Sequence, residues 1–298
     1  KEIPYEAFDG CTSLVSIGDL NNVESIANEA FSNCSALEHV DKLDKITSIG
    51  QNAFKGCTAL KSIGSLHNLE TIGQGAFSGC SALEHVDDLY SLTRLEYDVF
   101  SHCVSLISVD CSDKLTAIGS SAFFGCKALV SIGDLSNVTS IESSVFRGCI
   151  ALKSIGNMPK LESIGMQCFM GCTALETVGD LSSLKEIPSE TFDGCTSLVS
   201  IGDLSNVTII GSYGFNQCKK LTSIPNLGSL ERVDQFAFSG CESLALLGNL
   251  RKLTSFGNSP FVNSPFHNCP NLVLEVLPDS AAEQYAKDYN MQYTYITE

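Results

Sequence analysis

Apolar residues recur at every third position along most of the chain, and the whole pattern repeats every 23 residues. Counted from a phenylalanine at position zero, apolar side chains occupy positions 3, 6, 9, 12, 15 and 18. A strand alternates with a period of two and a helix with a period of 3.6, so neither element explains this spacing. A period of three is typical of a chain that winds around an axis and sends every third side chain inward. The pattern therefore predicts a solenoid with one coil per repeat.

Two residue types mark each repeat: a phenylalanine at position zero and a cysteine three residues later. Both lie at inward positions, where cysteine is expected to act as a small apolar residue with a free thiol. Cys111 stands where other repeats have Asp, Asn or Lys, so we expect it to be the most accessible thiol. The residues predicted to form the structural core of the stack are Phe54, Phe77, Phe123, Phe146, Phe169, Cys57, Cys80, Cys126 and Cys149.

Each repeat contains signals for one tight turn and two short extended segments. A small residue usually precedes the phenylalanine, and a glycine often follows it at position 2, which predicts a short helical turn closed by positive φ. Positions 6 to 12 and the residues near position 18 are rich in Leu, Ile and Val, as strands are. Stacked coils are expected to pair these segments into parallel sheets. The glycines predicted at positive φ are Gly10, Gly56, Gly79, Gly125 and Gly171.

The repeat is interrupted near the C-terminus. Phe261 keeps the interval, but the Phe and Cys motif returns only at Phe266 and Cys269, so the inserted residues 261–265 are expected to bulge from the stack. At the other end, residues 1–4 have the same sequence as 185–188, so we expect the chain to begin inside a repeat.

The last residues depart from the repeat and predict an end cap. We expect a solenoid over residues 1–272 and a cap of strand, helix and strand over 273–298. Asp279 or Ser280 can cap the helix, which should run to about Tyr289.

The run from Leu60 to Cys80 reads L-x-x-I-x-x-x-x-x-L-x-x-I-G-x-x-A-F-x-G-C, and Leu129 to Cys149 is similar. This pattern, over most of the chain, resembles the BspA-type leucine-rich repeat family. The resemblance implies a leucine-rich-repeat solenoid of α/β type, with short parallel strands, short helical turns and about 12 coils. It also implies a surface or secreted protein of a host-associated bacterium with a role in adhesion. The chain departs from the family pattern in one respect. The family usually has an apolar residue at position 11 followed by proline, whereas here position 11 is polar and position 12 is apolar. The strand is therefore expected to be shorter or more twisted than in the family.

Composition narrows the function classes. The chain has 18 basic and 34 acidic residues, a net charge of −16, and no cluster of Lys and Arg, so nucleic acid is a poor partner. No apolar run reaches the roughly 18 residues that span a membrane, so no membrane insertion is expected. The sequence shows no phosphate-binding loop, dinucleotide motif or zinc-ligand spacing. We therefore expect no enzyme activity, no metal and no cofactor.

One group of polar residues departs from the repeat consensus. Position 8 is usually serine and position 10 usually glycine, but several repeats carry histidine or acid there. Both positions flank an inward residue, so their side chains should share the exposed face of the sheet. A solvated polar column, a ligand contact or a metal-dependent module would each fit these residues. The candidate ligand-binding residues are His39, Asp41, Glu84, His85, Asp87 and Asp110.

A second candidate surface is apolar and lies on the flank beside the turn. Positions that are polar in most repeats carry aromatic or methionine side chains in a few, and a contiguous patch of them could bind protein. The candidate flank residues are Tyr97, Phe124, Met166, Met170, Tyr213 and Phe236.

Together these observations favour a non-catalytic binding protein, extracellular or at the cell surface, with a protein or extracellular-matrix ligand. A structural spacer that presents another domain is the alternative, and a metal-dependent module or enzyme is the third reading. Neither the ligand nor an oligomeric state follows from the sequence.

Overall fold

The computed structural model describes residues 1–257 and 264–296. The chain is a leucine-rich-repeat solenoid of short parallel strands joined by hydrogen-bonded turns, as predicted. It divides into two compact units, Lys1–Leu152 and Lys153–Glu298. Residues 261–263 of the predicted bulge lie outside the described residues.

The first unit contains two series of strands, because each repeat has one strand near position 8 and another near position 17. Three of its parallel sheets have the strand orders β1-β2-β4-β6, β3-β5 and β7-β9-β11, and β8-β10-β12 pair in the same way. Partners are one repeat apart, as in the pair of Ile26 with Ile49. The strands of this unit are β1 (Glu2–Ile3), β2 (Ser25–Ile26), β3 (His39–Val40), β4 (Ser48–Ile49), β5 (Ser62–Ile63), β6 (Thr71–Ile72), β7 (His85–Leu89), β8 (Arg94–Leu95), β9 (Ser108–Cys111), β10 (Ala117–Ile118), β11 (Ser131–Ile132) and β12 (Ser140–Ile141).

The second unit repeats this plan and ends in the helix α1 (Ala281–Asp288) and a last strand. Its parallel sheets have the orders β13-β15-β17, β16-β18-β20-β22 and β19-β21-β23-β24. The strands are β13 (Ser154–Ile155), β14 (Ser163–Ile164), β15 (Thr177–Val178), β16 (Glu186–Ile187), β17 (Ser200–Ile201), β18 (Ile209–Ile210), β19 (Ser223–Ile224), β20 (Arg232–Val233), β21 (Leu246–Leu247), β22 (Ser255–Phe256), β23 (Val273–Val276) and β24 (Gln292–Tyr295).

The phenylalanine column lies at the centre of each unit. In the first unit the ring of Phe77 stacks on Phe54, with centroids 5.3 Å apart, and on Phe100 at 5.6 Å. In the second unit Phe192 stacks on Phe169 at 5.2 Å and on Phe215 at 5.1 Å. All six side chains are fully buried. The predicted core columns of phenylalanine and cysteine are therefore at the inside of the coils.

The turn that carries each phenylalanine is a series of tight hydrogen-bonded turns. The amide of Asp9 donates to the carbonyl of Glu6 (3.1 Å), and the amide of Cys11 donates to that of Phe8 (3.0 Å). Among the described residues, the one α-helix is α1. The five predicted glycines have positive φ, between 68° and 73° in four cases and 75° at Gly79. The predicted helical turns are therefore short bends of the backbone and not regular helices.

A second position of positive φ lies two residues before each phenylalanine, and it was not predicted. Glu29 (57°), Tyr213 (59°) and Phe236 (56°) occupy it, although side chains of this size disfavour the left-handed region. The stack stabilises this conformation through backbone bonds between coils: the amide of Glu29 donates to the carbonyl of Gln51 (2.9 Å), and that of Tyr213 to Gln235 (3.0 Å).

The cysteine column has a hydrogen-bonding role in addition to its packing role. The thiol of Cys57 donates to the carbonyl oxygen of Phe31 in the preceding coil (3.1 Å), and the amide of Cys34 donates to the same oxygen (3.2 Å). The same thiol bond recurs from coil to coil, for example from Cys80 to Phe54 (3.1 Å). Each buried carbonyl thereby has two donors, a backbone amide and a thiol. A valine or alanine at the cysteine position would keep the amide donor and remove the thiol donor.

All fourteen cysteines are free thiols in the structure. The accessible ones are Cys11, which is exposed, and Cys269, which is half-buried. The expectation for Cys111 is wrong, because its side chain is only 7% exposed. A bulge in β7 shifts the pairing so that Cys111 lies opposite Leu89, and it faces the core as Leu89 does.

We expect native thiol labelling to modify Cys11 and Cys269 and to leave the other twelve cysteines unreacted. Burial raises the pKa of the Cys57 thiol to about 12, so the reactive thiolate is scarce as well as shielded. Mass analysis after alkylation with iodoacetamide, with and without denaturant, measures this directly. Modification of Cys111 under native conditions, or disulfides found without reduction, would contradict the assignment.

The C-terminal strand, helix and strand are built around one buried carboxylate. Ser280 caps α1, and its hydroxyl accepts the amide of Glu283 (3.1 Å), as one of the two predicted caps. Glu283 forms an ion pair with Lys287 (2.7 Å) and accepts the hydroxyl of Tyr295 (2.6 Å). The same carboxylate accepts the backbone amide of Asp279 (2.8 Å). It therefore links the helix to the turn that precedes it and to the strand β24 that follows it. The division into solenoid and cap at residue 273 stays a prediction.

Acid is expected to destabilise this segment through Glu283. Lys287, Tyr295 and the Asp279 amide lower the pKa of its carboxyl to about 2, from an ordinary value of 4.5. Because the pKa of Glu283 is lower in the folded state than in the unfolded chain, its ionised carboxylate stabilises the fold at pH values above about 4.5. This stabilisation is lost as the pH falls from about 4.5 towards 2. We expect Glu283→Gln to lower the midpoint of thermal unfolding at pH 6 and to have less effect at pH 2. An equal effect at both pH values would show that the charge of Glu283 does not stabilise the fold.

Candidate functional site

The predicted polar residues lie on the exposed side of the strands in the first unit. His39 begins β3 and His85 begins β7, and each is exposed next to a buried valine, Val40 or Val86. The acidic residues of position 10 are also exposed: Asp41, Asp87 and Asp110. The alternation expected from the sequence therefore holds, with position 9 inside and positions 8 and 10 outside.

The two histidines have similar surroundings. Nδ1 of His39 lies 2.9 Å from the hydroxyl of Ser62 in the next coil, and Nδ1 of His85 lies 3.0 Å from that of Ser108. Ser62 occupies position 8 in the repeat between His39 and His85, so the structure brings neither histidine directly against the other. Within residues 1–257 and 264–296, no three His, Cys, Asp or Glu side chains are grouped so that they could hold a metal ion.

The acidic residues concentrate around the bulge in β7. Asp88 occupies the bulge with a φ of 67°, and its carboxylate accepts the hydroxyl of Ser65 (2.6 Å). The negative charges of Asp88, Asp110 and Asp87 raise the pKa of the exposed Tyr90 hydroxyl, Asp88 having the largest effect. The strands β7 and β9 thus bring several carboxylates together near Tyr90.

An exposed aliphatic group lies on the coil that carries Asp110 and on the next coil, and its residues were not among the candidates predicted from the sequence. The backbone pairs position 7 of successive coils: the amide of Ile107 donates to Glu84 (2.8 Å), and the amide of Val130 donates to Ile107 (2.9 Å). The side chains of Val104, Ile107 and Val130 are 36%, 39% and 40% exposed. We call these three residues the aliphatic patch. Its signal in the sequence is an Ile or Val at position 7, where neighbouring repeats have Glu or Lys.

Each aromatic flank candidate of the first unit has an arginine guanidinium near its ring. The ring of Phe124 is half-buried, lies edge-on to His102 (centroids 5.0 Å apart) and has the guanidinium of Arg147 5.7 Å from its centre. Tyr97 is exposed, and the guanidinium of Arg94 lies 5.9 Å from its ring centre. Both aromatic rings therefore have neighbours that fix their orientation.

The flank candidates of the second unit consist of aromatic and methionine side chains. Tyr213 and Phe236 stack with ring centroids 5.0 Å apart, and both occupy the position of positive φ. Met166 is 54% exposed, and Met170 is half-buried. These residues remain candidates for a protein contact.

Comparison with known families and structures agrees with this geometry. The model of the BspA type leucine rich repeat region, a unit of six copies, matches residues 1–107, 61–176, 93–218 and 162–279. No curated protein matches the chain. No helix in the described part of the chain has the length and apolar character needed to cross a membrane.

Two solved bacterial structures are similar along nearly the whole chain. A leucine-rich repeat protein from Bacteroides ovatus is 27% identical, with a TM-score of 0.67, over 99% of this chain and 87% of that one. A protein from Faecalibacterium prausnitzii, described as a leucine rich cell surface protein, is 24% identical, with a TM-score of 0.51, over 89% and 85%. With the repeat, the stacked coils and the family match in agreement, the chain belongs to the BspA type leucine rich repeat family.

Proposed function

We propose that this chain is a non-catalytic binding protein that acts at the cell surface or outside the cell and contacts a host protein or matrix protein through the strands of its first unit. The observation that carries the proposal is the contrast between two sets of positions. Inward positions repeat the same apolar residues in almost every coil, whereas exposed positions 7, 8 and 10 vary. Variation is concentrated where a partner could touch it, at His39, Asp41, Glu84, His85, Asp87 and Asp110.

The chemistry of these residues supports binding more than catalysis. His39 and His85 are exposed, and the hydrogen bond that each makes through Nδ1 goes to a serine hydroxyl. The carboxylate of Glu38 lies 3.8 Å from Nε2 of His39, but it is exposed and makes its shorter contact, 2.8 Å, with Lys61. A general base usually needs a carboxylate or a buried environment to orient it and adjust its pKa. An exposed sheet face instead allows many side chains to contact one partner, with specificity set by charge and shape.

The proposal is tested with a fourfold variant, His39→Ser, His85→Ser, Asp87→Gly and Asp110→Gly, which uses the residues other repeats have at these positions. Surface plasmon resonance against immobilised fibronectin, laminin and collagen identifies a ligand first. We expect at least a tenfold loss of affinity for that ligand, because charged and hydrogen-bonding contacts are removed together.

The matched control is Ser154→Ala with Ser200→Ala, at position 8 of two coils in the second unit. It should bind as the wild type does, and circular dichroism should show both variants folded. Unchanged affinity of the fourfold variant for a verified ligand would place the contact elsewhere, and the flank residues of each unit, Phe124 in the first and Met170 in the second, would be tested next and separately.

A further inference from the structure

We infer that the aliphatic patch and the acidic residues near it form a binding surface for a cationic polypeptide segment that carries an apolar side chain next to its basic groups. This inference rests on the proposed function, since it names the chemistry of the partner for the same sheet face. Three features of the first unit support it: an apolar surface, the negative charge beside that surface and the position of one lysine.

The aliphatic patch spans two neighbouring coils. A backbone bond joins Ile107 to Val130 at position 7 (2.9 Å), so these two side chains stand one strand spacing apart. Val104 lies three residues before Ile107 on the same coil, and its carbonyl accepts the amide of Ala128 from the next coil (3.1 Å). The corresponding residues of the preceding coils are Glu38, Lys61 and Glu84, of which Glu38 and Lys61 form an ion pair (2.8 Å). Within this column the exposed surface therefore changes from charged to apolar between Glu84 and Ile107. A partner gains free energy by covering such a surface.

The charge next to the aliphatic patch is negative. Glu84 directly precedes Ile107 in the position 7 column, and the amide of Ile107 donates to its carbonyl (2.8 Å). Asp87 and Asp110 are exposed on β7 and β9, three positions further along the coils that carry Glu84 and Ile107. Complementary charge favours a basic partner and steers its approach. The same charges repel the phosphates of nucleic acids.

One basic residue determines the orientation in which a partner can bind to this surface. Lys127 is exposed at position 4, beside Val104 and on the opposite side of the patch from position 10. A cationic group over Lys127 would be repelled, whereas the same group over Asp87 and Asp110 would be attracted. The apolar side chain of the partner therefore lies on Ile107 and Val130, and its basic groups extend towards β7 and β9. A simple cation would use only the acids and would leave the apolar surface uncovered.

The test uses three fluorescein-labelled peptides of equal length: one of alternating lysine and leucine pairs, one of lysine and serine, and one of leucine and serine. Fluorescence anisotropy with the full chain measures their affinities at two salt concentrations. We expect the lysine and leucine peptide to bind most tightly. Ile107→Ser with Val130→Ser should weaken it at least tenfold, or about 1.4 kcal/mol. Asp87→Asn with Asp110→Asn should also weaken it and reduce its salt dependence.

The matched control is Val199→Ser, an exposed valine at the same repeat position in the second unit, which should leave the affinity unchanged. The inference is overturned if the lysine and leucine peptide does not bind, if the Ile107 and Val130 variant binds it as the wild type does, or if the lysine and serine peptide binds equally well. The two proposals fail separately. A matrix ligand lost in the fourfold variant, with no peptide binding, would remove only this inference. Peptide binding without any matrix ligand would remove only the matrix-binding part of the proposed function.

Discussion

Phe123→Ala is expected to lower the free energy of unfolding of the first unit by about 3–5 kcal/mol, the largest single-residue effect we anticipate. The side chain is fully buried, and its ring stacks on Phe100 and on Phe146, with centroids 5.5 Å away in both cases. Removing it opens a cavity between two coils that cannot close, because the strands on either side fix the coil spacing. Chemical denaturation followed by circular dichroism measures the change.

The next residue along the chain provides the control. Phe124 has the same side chain, but it is half-buried on the flank, where it contacts His102 and Arg147. Phe124→Ala is expected to cost about 1 kcal/mol or less, since it removes one edge contact and one cation–π contact at a partly exposed site. Equal effects of the two substitutions would mean that the phenylalanine column does not form the core of the stack.

Gly202→Ala is expected to destabilise the second unit by about 1–3 kcal/mol through overpacking. A methyl group at Gly202 would run into the backbone carbonyl of Gly179 in the preceding coil, with the Cα of Asp180 2.9 Å away. Backbone atoms cannot move aside as a flexible side chain can, so the two coils would have to separate locally. The midpoint of urea unfolding measures the loss.

Gly156→Ala is the matched substitution, because Gly156 also stands at position 10 of its repeat. A Cβ placed there meets no atom within 4 Å. It is therefore expected to be neutral, or stabilising by about 0.4–1 kcal/mol through the reduced entropy of the unfolded chain. If Gly202→Ala were equally neutral, the close approach of the coils at position 10 would be disproved.

These glycines show how far a sequence pattern can be interpreted. Glycine at position 2 could be predicted, since a tight turn that needs positive φ favours it. Where the coils approach closely, as at Gly202, glycine at position 10 has another cause, which is the backbone of the preceding coil. That cause could not be inferred, because the spacing of two stacked backbones leaves no periodic signal within one repeat. The second position of positive φ was missed for the same reason: Glu29, Tyr213 and Phe236 have no preference for it, and inter-coil hydrogen bonds impose it.

Cys111 illustrates the effect of one inserted residue. Its repeat position is polar elsewhere, so the sequence favoured exposure. The bulge at Asp88 shifts the pairing of β7 with β9, and Cys111 moves to the inside, opposite Leu89. A shift of one residue in a strand exchanges its two faces, so a local irregularity can reverse a prediction that holds in every regular coil.

The sequence by itself determined the solenoid, its inward columns and the exposure of positions 8 and 10, because burial of apolar side chains imposes a period that is visible along one dimension. Only the tertiary structure decided which exposed side chains are neighbours. Glu84, Ile107 and Val130 are 23 residues apart in sequence, yet backbone hydrogen bonds of 2.8 and 2.9 Å place them side by side. That adjacency depends on the register between coils and on the bulge in β7, and both are set by hydrogen bonds between strands and not by the residues of any single repeat.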